Sequence, residues 1–160
     1  MNRKGKSAAD LMSELAADPA FQRRENEKQQ ILLQREREYA QQLNPIMMQL
    51  WEHGLQGATL QDIVRNHAPL PMHVVDILLA GLVGLRDSRV QETVVRALGA
   101  AEHPYDGEPV VKCFDSTTDE GLRWAVLNTV AISKPHSIDD WLTTIAGTPD
   151  GATLRDLTVR

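Results

Sequence analysis

The 160-residue sequence predicts an all-α protein: a short α-α superhelix, or solenoid, behind a long charged N-terminal helix. Three observations predict it. Apolar residues recur three and four apart along almost the whole chain, and no segment alternates apolar and polar for long, so helical periodicity replaces the strand signal. From Phe21 to Leu43 there is neither Gly nor Pro, and charges of both signs alternate. The C-terminal half also matches itself when shifted by 32 positions, as when Val90 falls on Leu122 and then on Leu154.

In chain order, residues 1–6 read as a flexible tail and 7–53 as a helical arm. Ser7 and Asp10 have capping-box spacing, and Leu11 and Leu15 form the stripe of a short helix that stops near Pro19. Asp18 then caps a second helix with Pro19 at its first position, where the missing N–H costs nothing. The stretch "QRRENEKQQ" (22–30) has no apolar residue, so this part of the helix belongs to solvent, and pairs such as Arg23 with Glu27 add about 0.2–0.5 kcal/mol each. Leu32, Tyr39, Leu43, Met47 and Leu50 restore an apolar stripe. Asn44–Pro45 predicts a kink or break within it, and Gly54 ends it.

A second region, 59–160, begins with Thr59 and Asp62, again at capping-box spacing, before "LQDIVRNHA", which Pro69 and Pro71 close. The repeat follows. At a shift of 32, Val94 becomes Val126, Val95 becomes Leu127 and then Val159, Leu98 becomes Val130, and the turn residue Asp87 becomes Asp119. The preceding helix shifts with it, Leu78 and Leu82 falling on Val110 and Phe114, and Leu78 falling again on Leu142. Each unit is therefore a helix, a capped polar turn and a second helix, and such units stack on their neighbours. Asp139 and Asp140 cap the helix that starts near Trp141, where carboxylates suit the positive end of the dipole.

The residues "VQETVVRALGA" (90–100) resemble the second helix of a HEAT-type repeat, and "LRWAVLNTVA" (122–131) is a looser copy with Trp124 and Asn128 where small or basic residues are common. Over about 72–160 the chain is similar to uncharacterised bacterial HEAT-like repeat proteins. The resemblance implies a small right-handed solenoid of two to two and a half hairpins whose second helices line a concave face.

Helical phase selects the residues on that face. With Val90 at the centre of the buried stripe, Val94, Ala97, Leu98 and Ala101 fall beside it and Glu92 falls opposite. Its counterparts are Trp124 and Asp156, so Trp124 is expected on an exposed face, where Trp is enriched among residues that dominate binding. Beside it run two polar columns, Gln91, Arg123, Arg155 and Arg96, Asn128, Arg160. These residues predict a surface for another protein, an acidic helix or loop in particular. The exposed apolar residues Leu154, Leu157 and Val159 on a last repeat without a polar outer face predict either self-association there or a following capping element, and the arm offers a second route to a homodimer.

Charge and motif content set the remaining expectations. The chain has 17 Lys and Arg against 22 Asp and Glu, and residues 51–160 hold 9 of the former and 15 of the latter, a balance of −6. An acidic body lacks the footprint of a phosphate-backbone binder, so nucleic acid is not an expected partner. The pair of helices over 59–82 has helix-turn-helix spacing, but Met72–Leu82 carries His73 and Asp76 and no Arg, Lys, Asn or Gln to read base edges. A HEAT-like DNA glycosylase would need a basic concave surface. The five histidines form no metal-ligand motif. "EHG" (52–54) and "EHP" (102–104) reverse the His-Glu order of the HEAT-like di-iron hydroxylase and fall out of register with the repeat, against that enzyme; the alternatives kept beside protein recognition are a lyase- or hydroxylase-type HEAT-like enzyme or enzyme accessory, and helix-turn-helix DNA binding through 59–82. There is no G-x-S-x-G elbow and no phosphate loop, and the single Cys113 lies in an apolar run. No metal, no cofactor, no membrane span and no signal peptide are expected, and a cytoplasmic location is.

Overall fold

The computed structural model describes residues 7–159. The described residues form nine helices: α1 (Ala8–Ala17), α2 (Pro19–Glu52), α3 (Leu60–His67), α4 (Met72–Gly84), α5 (Ser88–Leu98), α6 (Glu108–Ser116), α7 (Glu120–Ser133), α8 (Asp139–Ile145) and α9 (Pro149–Thr158). The fold is all-α and superhelical, and no described helix is long and apolar enough to cross a membrane. The chain divides into two compact units after Glu38, so the second half of α2 belongs with the body rather than with the arm.

In the first unit the Asp18 carboxylate accepts the Ala20 N–H at 2.9 Å and starts α2 at Pro19. The expected tail over 1–6 lies outside the described residues, and so does the Asp10 side chain of the expected capping box. Arg23 gives its Nε to the Pro19 carbonyl rather than to Glu27, and Lys28 pairs with Glu25 at 2.7 Å. No residue from 7 to 38 whose burial is described is buried, and Leu11, Ile31, Leu32 and Leu33 are each about half exposed.

In the second unit α2 continues through Pro45 without the expected break. Proline removes one bond, to the carbonyl of Gln41 four residues earlier, at a cost of about 3 kcal/mol. Pro45 and Gln41 both lie on the solvent side, where water replaces that bond, while Leu43, Ile46, Met47 and Leu50 on the other side are buried and hold the helix together. Gly54, with φ +81°, ends the segment as expected. The Thr59–Asp62 capping box is reciprocal, each side chain accepting the other residue's backbone N–H.

The repeat takes the form of stacked hairpins. α4 pairs with α5, α6 with α7 and α8 with α9, and the second helices stack in the order α3, α5, α7, α9 while α4 lies on α6. Asp87 and Asp119 accept the Arg89 and Leu122 N–H groups and Thr148 that of Gly151, so every second helix after α3 starts from a capping side chain. Asp139 and Asp140 are corrected to the first turn of α8: its cap position is Ile138, and neither carboxylate makes a capping bond. Between hairpins the connections pair through their backbones. Leu70 donates to Ala100 and accepts from Glu102, and His136 donates to Tyr105 and accepts from Gly107, all at 2.8–3.0 Å. One buried polar side chain joins two second helices, Thr129 donating to the Val95 carbonyl at 3.0 Å because the Gly99 N–H turns to Arg96 instead. A single apolar cluster runs from Leu43 to Leu154.

Candidate recognition face

Two of the six predicted contact residues turn out to be hairpin braces, and a third follows them. Arg123 Nη1 donates to the carbonyls of Phe114 and Thr117 at 3.3 Å, Nη2 pairs with Asp150 at 2.7 Å, and the guanidinium lies 3.8 Å from the Phe114 ring centre. Arg155 Nη1 donates to the Ala146 carbonyl at 2.9 Å, and Gln91 Nε2 donates to the Leu85 carbonyl at 3.1 Å. Each acceptor lies at the C-terminal end of the first helix of the same hairpin, where helix carbonyls lack intrahelical donors. The column Gln91, Arg123, Arg155 is thus one device repeated three times, each side chain closing the turn of its own hairpin. Side-chain reach explains the correction: phase puts these residues beside the ridge, and a long side chain covers the open helix end next to it.

The other column keeps its place on the surface. Trp124 is 44% exposed, and the Arg96 guanidinium stands 5.3 Å from its ring centre. Arg96 is held in turn by Glu92, one turn earlier on α5, at 2.7–2.8 Å through Nη2 and Nε. The bracing pair was legible as an i,i+4 couple, but its stacking on Trp124 depends on how α5 and α7 pack. Asn128, one turn beyond Trp124, is half-buried, and neither its amide nor the Trp124 indole N–H has a partner among the described residues. Arg160, the last member of the column, lies outside the described residues. Arg123 and Arg155 are thus engaged on helix-end carbonyls and Arg96 on Glu92, so all three guanidinium groups already have partners within the chain.

Beside Arg96 the surface falls into a groove that the sequence did not announce. One cavity of about 250 Å³ lies between Leu60, Val64, Thr93, Arg96 and Ala97. It shares Leu60, Gln61 and Thr93 with a second of about 380 Å³ between α2, the start of α3, and α5. Trp51, 47% exposed, forms one wall with its indole N–H fixed on the Gly57 carbonyl at 3.0 Å. Tyr39 forms another, its hydroxyl 3.0 Å from the Thr93 hydroxyl. Residues from 39–51, 58–61 and 93 meet here, so no local pattern signals the groove.

No family model matches the chain, and no curated protein or solved structure gives a significant match. Burial pushes the Cys113 thiol up to about 11, which leaves it a neutral, inert group at physiological pH. Burial also raises the Tyr105 phenol, to about 12, against the opposing effect of its bond to Ser133. His53 and His73 have ring centres 5.5 Å apart, but no group of three potential metal ligands occurs among the described residues. The two helices of the helix-turn-helix reading pack elsewhere, α3 on α5 and α4 on α5 and α6, and Val74, Val75, Leu78 and Leu82 of α4 are buried.

Proposed function

We propose that this chain is a non-catalytic recognition module, a HEAT-like solenoid of adaptor, inhibitor or immunity type that holds another protein on the ridge of α5 and α7. The observation that carries the reading is Trp124: a large apolar ring at the surface, fixed by Arg96, which Glu92 fixes in turn. A solvated helix face has no use for such an arrangement, whereas a binding surface gains from rigid aromatic area that loses little entropy on contact. The indole N–H of Trp124 and the amide of Asn128 supply unspent hydrogen bonds one turn apart. A cytoplasmic setting belongs to the same proposal, supported by the single unpaired, buried Cys113.

Affinity capture from cells of origin with the parent chain, Trp124→Ala and Asn128→Ala tests it. The expected result is a discrete set of proteins held by the parent and depleted about tenfold or more by Trp124→Ala, the loss typical of a dominant contact. Equal retention of every partner by both variants overturns it. Arg123→Ala does not serve as a test of contact, because it opens a hairpin.

A further inference from the structure

We infer that the groove between α2, α3 and α5 is a second binding site, which takes one large apolar side chain of an extended, uncharged peptide segment from a partner protein. The inference rests on the protein-recognition reading but not on Trp124. Its floor is Leu43, Met47 and Leu60, all buried, and its walls are the rings of Tyr39 and Trp51. These rings are locked, since the Tyr39 hydroxyl is spent on Thr93 and the Trp51 N–H on Gly57. The cavity is therefore preformed, which lowers the ordering cost of filling it.

Charge identifies the occupant. In a chain that is 24% charged, none of the residues lining this cavity carries a charge, although the body from 51 onward has a balance of −6. Two cations come near it, and each is already paired: Arg89, 5.7 Å from the Tyr39 ring centre, with Asp87 at 2.7 Å, and Arg96 of the adjoining cavity with Glu92. A phosphate, a carboxylate head group or a charged side chain would lose its hydration here with no opposite charge to replace it. What the rim does offer is two neutral amides, Asn44 and Gln61, both exposed and both without a side-chain hydrogen bond among the described residues. A side-chain amide has the same donor and acceptor as a peptide group, so the pair is matched to the backbone on either side of an anchored apolar residue.

The probe is a phage-displayed random peptide library panned on the full-length chain, followed by titration of the selected peptides, acetylated and amidated at their ends. The expected peptides share one Leu, Met or aromatic residue flanked by uncharged residues. Ala58→Trp, which fills the cavity from an exposed position, is expected to weaken them about tenfold or more, and Asn44→Ala and Gln61→Ala by about two- to tenfold each, the worth of one hydrogen bond. Thermal midpoints show whether Ala58→Trp remains folded, and the two amide variants carry the test if it does not. Peptides with an obligatory charge, peptides insensitive to all three variants, or no enrichment at all overturn the inference. Peptides lost with Trp124→Ala but indifferent to Ala58→Trp leave the recognition face standing and remove this site. The reverse pattern keeps this site and shows that it binds independently of the Trp124 ridge.

Discussion

At the residue scale, Arg123 is the most informative correction. Its position in the repeat was legible, because Gln91, Arg123 and Arg155 are 32 apart, but its role was not, since periodicity gives the side of a helix and not the atom a long side chain reaches. With an ion pair, two carbonyls and a ring face satisfied by one guanidinium, Arg123→Ala is expected to cost about 1–3 kcal/mol in urea unfolding. Lysine is expected to recover less than half of that, because an ammonium group reproduces neither the fork nor the stacking. Asp87 supplies a pH dependence. The Arg89 side chain is the main cause holding its carboxyl below the ordinary range, with backbone N–H bonds adding to it against burial. A depressed folded-state value means the stabilisation is present above about pH 4 and is lost as pH falls through the folded value. Asp87→Ala is expected to lower stability at pH 7 by about 1 kcal/mol as a lost cap, and to flatten the acid limb of the stability curve measured from pH 6 to 2. Cys113 runs the other way. Its raised thiol contributes stability that falls as pH climbs from about 8.5 toward 11, and it is expected to react with a thiol reagent at pH 8 only as fast as the body opens.

At the element scale, hairpins α4–α5 and α6–α7 were visible because their apolar stripes keep the 32-residue phase, and α8–α9 because part of that phase persists. The stacking of α3 on α5 was not. A shift of 32 from Val90, Val94 and Leu98 lands on Ala58, Asp62 and Asn66, which are small or polar, whereas a shift of 31 carries Val94 to Ile63, Val95 to Val64 and the paired connection residue Ala101 to Leu70. One deleted position hid a stacked second helix and made α2 look like arm as far as residue 53. The last hairpin also differs from expectation. Leu154 is buried and Leu157 is partly buried against the core, so of the three apolar residues that suggested self-association only Val159 stands exposed. The C-terminal end of α7 offers an element-level test. Lys134 caps it at φ +46°, a left-handed conformation that costs a side-chain-bearing residue about 1 kcal/mol. Lys134→Gly is expected to raise the melting temperature by a few degrees, and a fall would show that the lysine side chain does more than occupy the turn.

At the scale of the whole molecule, the all-α superhelical fold was legible and the surface proposed for recognition only in part. Trp124 was found by phase alone. Its brace depends on the packing of α5 against α7, and the groove beside it on three segments that lie up to 54 residues apart in sequence, as Tyr39 and Thr93 do. The surface rests on the same stack that the arginine and glutamine braces close, so variants that open a hairpin are expected to weaken binding indirectly, in proportion to lost stability, and Trp124→Ala to weaken it at unchanged stability. The measurement that tests the central claim most directly is site-specific photo-crosslinking in the cells of origin. A benzophenone side chain is placed at position 124 and, for comparison, at Val83, which is 75% exposed on α4. The recognition-module account predicts a discrete crosslinked protein partner from position 124 that is absent from position 83. The same adducts from both positions, or none from 124 in a folded chain, would contradict it.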